Sequence, residues 1–105
     1  MTTLVWLQRW YESRRDGDWE HGPGIRISTI DNPGWQISIP LRGTPYLDKP
    51  FEDVKREGEV DWIVCRKREG IFEGFGGISN LEDLLETFRT WVDSDDGGDE
   101  STRMM

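Results

Sequence analysis

The sequence predicts an α+β protein, with a mostly antiparallel four- or five-stranded sheet flanked by an N-terminal and a C-terminal helix packed on one face. Three observations predict it. Apolar residues recur at helical spacing at both ends of the 105-residue chain, two hairpin signatures lie between them, and six tryptophans supply bulk for one aromatic-rich core. Two helices with apolar stripes need a surface to cover, and one sheet face is the economical choice.

From Thr3 to about Arg15, Leu4, Leu7, Trp10 and Tyr11 recur as on one side of a helix, with Trp6 one turn before Trp10. Thr3 or Thr2 is the expected N-cap, and Asp16-Gly17 the expected stop. Beyond Pro23-Gly24, alternation over Ile25 to Ile30 and over Trp35 to Leu41 predicts two half-buried strands. Asp31-Asn32-Pro33-Gly34 is turn chemistry between them.

Arg42 to Pro50 contains Gly43, Pro45 and Pro50 and reads as a loop, and Phe51 to Glu57 as a weak, edge-like third strand. Asp61 to Lys67 is rich in β-formers, and Arg68-Glu69-Gly70 turns it into Ile71 to Phe75, a second hairpin. The last element has the strongest pattern: Leu81, Leu84, Leu85, Phe88, Trp91 and Val92 form an apolar helical stripe, with Ser79 and Glu82 spaced as a capping box. Residues 1–93 are expected to form one domain. Residues 94–105, polar, glycine-rich and acidic, are expected to be disordered.

Charge narrows the function. The formal net charge is −8, about −5 in the body and −3 in the tail. Nucleic-acid binding needs lysines and arginines to replace counterions along the phosphates, so this balance argues against it, and an anionic membrane surface would repel the chain. Cys65 is the single cysteine, so no disulfide can form within the chain. No apolar run approaches the roughly 20 residues of a membrane span. Trp6, Gln8, Arg9 and Trp10 interrupt what an export signal would keep apolar, so a cytoplasmic protein is expected.

The stretch Asp16-Gly17-Asp18-Trp19-Glu20-His21 concentrates three carboxylates, the single histidine and an indole. Three readings compete. Asp16, Asp18 and Glu20 alternate like the first ligands of a calcium loop, but the twelfth position is Ile27 and the sixth is His21, where that motif needs glutamate and glycine. His21 beside Glu20, with Cys65 as nucleophile, could perform acid/base or thiol chemistry, yet no family signature flanks either residue, and Cys65 lies in an apolar strand. The third reading, preferred here, is a structural turn that displays negative charge to a basic protein partner, where attraction speeds encounter and aromatic anchors supply affinity. Gly74-Phe75-Gly76-Gly77 has the context of a phosphate loop. It lacks the Lys-Ser/Thr pair and is followed by Glu82 and Asp83, so a chain reversal needing glycine conformations is the better reading.

The chain resembles the immunity protein 53 family of bacterial polymorphic toxin systems. The resemblance runs from about Leu4 to Val92 through Trp6-Leu7-Gln8-Arg9-Trp10-Tyr11, Asp16 to His21, Asp31-Asn32-Pro33-Gly34-Trp35, Asp61-Trp62-Ile63-Val64-Cys65, and the Gly76-Gly77 to Leu81 segment leading into Phe88-Arg89 and Trp91. It implies a cytoplasmic protein that binds and neutralises a cognate toxin domain, with no catalytic residue, metal or cofactor to carry over. On that reading Asp16, Asp18, Glu20 and His21 face the toxin. Trp19 anchors the turn or touches the partner, and Trp62, which also follows an aspartate directly, is a further candidate contact. The alternatives are a small metal-dependent or acid/base enzyme built on Asp16 to His21, whose folded state a metal would stabilise, and a non-toxin adaptor for a basic peptide.

Overall fold

The computed structural model describes residues 1–94. Helix α1 (Thr3–Arg14) leads through a one-turn 3₁₀ helix (Trp19–His21) into β1 (Arg26–Ile30) and β2 (Gly34–Pro40). There follow β3 (Val54–Arg56), β4 (Ile63–Arg68), β5 (Ile71–Gly76) and helix α2 (Leu81–Asp93). The five strands form one antiparallel sheet in the order β1-β2-β5-β4-β3, giving the predicted α+β architecture. Each predicted hairpin is present, and the two join through β2 and β5. Glu69 and Gly70 turn the second hairpin with φ of 55° and 78°, the left-handed pair that lets a two-residue loop follow the strand twist.

Alternation sorts the side chains. Ile37 and Ile39 of β2, Phe72 of β5, and Ile63 and Cys65 of β4 share a buried face. Helix α2 lies on that face with Leu84, Leu85, Phe88 and Trp91 buried. It comes close because Gly74 stands at the crossing: a Cβ there would sit 3.1 Å from an Ile37 carbon and 3.2 Å from a Leu84 carbon. Phe72, Phe88, Phe51 and Trp91 then pack ring against ring, with centroids 5.0 to 6.2 Å apart.

Helix α1 packs chiefly against α2, setting Trp6 and Trp10 edge-on to Phe88. Its buried stripe is Thr3, Leu7 and Trp10, whereas Leu4 and Tyr11 are 59% and 46% exposed. The expected stripe is thereby corrected: the helix is rotated toward α2, because Trp10 finds its partners in Phe88 and Trp19. Thr2 is the N-cap, accepting the Val5 N–H at 3.1 Å.

Two further expectations change. Asn80, not Ser79, precedes α2, and its side chain makes no cap bond because it is committed elsewhere. Asn80 Nδ2 donates to Asp61 and Asp83, both at 2.8 Å, and Oδ1 accepts the Trp62 N–H at 3.3 Å. Gly76 and Gly77 are required by crowding and not by positive φ, since a Cβ on Gly77 would collide with the Val60 carbonyl. The Arg42 to Pro50 loop is held by lysines: Lys49 Nζ donates to the Trp91 and Ser94 carbonyls at 2.7 and 2.6 Å, and Lys67 Nζ to the Leu47 carbonyl at 2.8 Å. Lys49 thus supplies the positive charge that the last turn of α2 lacks. Apart from Ser94, the acidic tail lies outside the described residues.

Candidate functional site

The segment Asp16 to His21 braces itself. Asp16 Oδ1 accepts the backbone N–H groups of Asp18 and Trp19, both at 3.0 Å. Glu20 reaches back to accept those of Asp16 at 3.0 Å and Gly17 at 3.0 and 3.2 Å. Two carboxylates therefore do inside the turn what a capping box does at a helix start. The backbone N–H groups of Trp19 and then Asp18 hold the Asp16 carboxyl below its ordinary value. Asp18 and His21 are exposed and, among the described residues, their side chains pair with nothing.

Trp19 settles the conformation. It is 8% exposed and sits edge-on to Trp10 at 5.8 Å and beside Tyr11 at 6.0 Å, so it anchors the turn in the core. Its indole N–H is buried without an acceptor, as is that of Trp10. An unmet buried donor costs roughly 1–3 kcal/mol.

Trp19 lines two cavities. One, of about 320 Å³, lies toward Leu7, Gln8, Tyr11, Glu20 and Ile25. The other, of about 400 Å³, is bounded by Asp16, Asp18 and Trp19 on one side and by Arg42, Gly43, Glu69 and Ile71 on the other. Three carboxylates and one guanidinium thus surround a partly apolar space. Asp16 and Asp18 line the larger of the two cavities and Glu20 the smaller.

The second wall, Arg42, Gly43 and Glu69, was not among the sequence candidates. The sequence carried a signal for it only in combination. Arg42-Gly43 begins a predicted loop and Glu69-Gly70 is a predicted turn, but only the Pro40 to Ile71 register and the Leu41 N–H bond to the Gly70 carbonyl, at 2.8 Å, bring them together. Gly43 has φ of 81°, a conformation that glycine adopts without strain.

Trp62 does not join this group. It precedes β4 at the opposite end of the strands, about 20 Å from the Glu69 turn at the usual rise per residue. There its indole lies against Gly77. Asp61 and Asp83 share the Arg56 guanidinium at 2.7 and 3.0 Å, and Arg56 and Asn80 hold the Asp61 carboxyl below its ordinary value.

Metal and thiol chemistry find little support in this geometry. Among the described residues no three His, Cys, Asp or Glu side chains are grouped as metal ligands. At the turn the reason is visible: Asp16 and Glu20 aim oxygens at backbone N–H groups. Cys65 is fully buried on β4, and burial pushes its thiol up to about 11, far from the thiolate a nucleophile needs. Among the described residues no helix is long and apolar enough to cross a membrane.

Fold and site together define a small α+β protein with an open, charged cavity beside a self-braced turn. The model of the immunity protein 53 family matches residues 4–93, and the chain belongs to that family. The match spans both helices, all five strands and the turn, and the membership supports an immunity function. Neither the search of curated proteins nor that of solved structures found a match.

Proposed function

We propose that this protein binds a cognate bacterial toxin domain in the cytoplasm of the producing cell and neutralises it by occupying its surface, without catalysis. The observation that carries this reading is the family match over residues 4–93. Inhibition by binding needs a rigid, exposed surface, and the turn meets that need: its backbone is held by Asp16 and Glu20 while Asp18 and His21 remain free. Asp18 and His21 are the proposed contacts. Asp16, Glu20 and Trp19 shape the surface, and Asp16 also contributes charge to the cavity. Trp62 stands apart and would belong to the same interface only if the toxin spans the sheet end to end.

The test is co-expression with the toxin domain encoded beside this chain, scoring survival and co-purification against a non-cognate toxin. Rescue together with a stable complex is the expected result. Lack of both with a toxin of proven activity would reject the pairing.

A further inference from the structure

We propose that the open edge of β1 is an interface between two copies of this chain, paired antiparallel about Ser28 so that their sheets become continuous. β1 ends the sheet and pairs with β2 alone. Among the described residues no backbone hydrogen bond outside that ladder involves residues 25–30. An unpaired edge is a template for another strand, and sheets blunt it with short strands, lysines, prolines or bulges. The opposite edge, β3, has such devices: it is three residues long and carries Lys55, paired with Glu57 at 3.2 Å, and Arg56, paired with Asp61 and Asp83. β1 has none of them. Its five residues, Arg26-Ile27-Ser28-Thr29-Ile30, contain neither lysine nor proline, and their register with β2 is unbroken. The helices also stop short of it. Ile27 is 42% exposed although its ladder partner Ile37 is fully buried, so an apolar side chain on the core side of the sheet is left uncovered.

The strand is self-complementary, which selects a second copy as its occupant. The register centred on Ser28 pairs all five residues: Arg26 faces Ile30, Ile27 faces Thr29, and Ser28 faces Ser28 of the other copy. Opposed β-branched side chains and opposed hydroxyls are favourable cross-strand pairs, and no like charges meet. Arg26 and Asp31 are exposed and, among the described residues, make no ion pair. Pairing brings each Arg26 within reach of Asp31 at the end of the other strand. The same register lays the other copy's hairpin turn beside Gly24 and Ile25, which border the cavity of about 320 Å³ toward Leu7, Gln8 and Tyr11, so the contact extends past the strand. The arrangement is isologous and closed, adding roughly four to six main-chain hydrogen bonds.

Sedimentation velocity on the whole protein from about 5 to 500 µM tests this, a range that spans micromolar dissociation constants. The mean mass should rise from one chain toward two. Ser28→Lys sets two ammonium groups opposite each other and should hold the protein monomeric; Ser28 is exposed, so the variant should melt with the parent. Arg26→Asp should weaken the dimer several-fold, and adding Asp31→Arg to the same chain should restore it. Under mild oxidation Ser28→Cys should cross-link, because opposed Cβ atoms lie about 5 Å apart. Arg26→Cys should not, its two copies being about 14 Å apart at the usual rise. Cys65 is fully buried and does not compete. A single-chain mass at every concentration, a dimer that survives Ser28→Lys, or equal cross-linking by both cysteine variants overturns the inference. So does slowed amide exchange in β1 only when toxin is added, which would give the edge to a strand of the toxin. Protection of cells is scored separately, so failure of the dimer leaves neutralisation standing.

Discussion

At the Trp62 end of the sheet, Asp61, Asp83, Arg56 and Asn80 close on one another; at the Trp19 end, Asp16, Asp18, Glu69 and Arg42 surround an open cavity with no ion pair among them. The residue types are nearly the same. At the first end an arginine and a buried asparagine satisfy both aspartates and pin the start of α2 to the loop before β4. At the second, one aspartate is spent on backbone N–H groups, the other is idle, and a buried indole donor is unmet. Charge clustering alone thus says little about function. What distinguishes the ends is whether the polar groups are already satisfied, and exposed side chains left unpaired beside an open cavity, such as Asp18, are the ones available to a partner.

Four experiments break or sharpen this contrast. The largest effect is expected from Asn80→Ala, which removes two charge-assisted donors and leaves the Trp62 N–H without its acceptor. A loss of about 3 kcal/mol should lower the melting temperature by roughly 10 °C or more, while toxin binding survives wherever the protein is folded. Should thermal melts show no loss, the closed end would not be structural.

At the open end, Glu20→Ala and Asp18→Ala should separate. Glu20→Ala frees the N–H groups of Asp16 and Gly17 and should lower the melting temperature by a few degrees. Asp18→Ala should melt with the parent but weaken the toxin complex in a titration. Equal toxin affinity for Asp18→Ala would move the interface elsewhere.

Acid titration compares the ends directly. Asp16 and Asp61 both have folded-state values below the unfolded one, so their contribution to stability is complete above the ordinary aspartate value of 3.8 and is lost as pH falls through the folded values. Melting temperature should therefore fall below about pH 4. Asp16→Asn should make that fall shallower, and a slope identical to that of the parent would contradict the role given to Asp16.

The smallest effect concerns Arg42. Arg42 lines the cavity and, among the described residues, makes no ion pair, so replacing it with alanine should shift the melting temperature by no more than about 3 °C. A larger loss in a thermal melt would mean that Arg42 holds that end of the sheet together.

Much of the fold was legible because its signals are local. The hairpins at Asp31 to Gly34 and at Glu69-Gly70 depend on turn chemistry within a few residues, and the stripe of α2 is read directly from its spacing. The stripe of α1 was misread at Leu4 and Tyr11 because apolar spacing marks a helix without saying which of two adjoining faces finds a partner; Phe88 and Trp19, distant in sequence, decided it. The capping box at Ser79 failed for a related reason, since Asp61 and Asp83 claim Asn80 and the helix begins one residue later. Of the candidate site, the turn was found from composition. Its division of labour was not, because Asp16 and Glu20 look no different from Asp18 in a sequence.

By itself the sequence determined the elements, their antiparallel hairpins, an acidic chain with one cysteine, and blocks specific enough to indicate a family. Each of these depends on neighbours along the chain or on composition. Only the tertiary structure decided that β2 pairs with β5, that Trp19 is buried against Trp10, and that Arg42 and Glu69 face Asp16 and Asp18 across a cavity. Strand order and cavity walls are set by contacts between residues tens of positions apart. Local propensity carries no information about which of those distant groups will be satisfied and which left open.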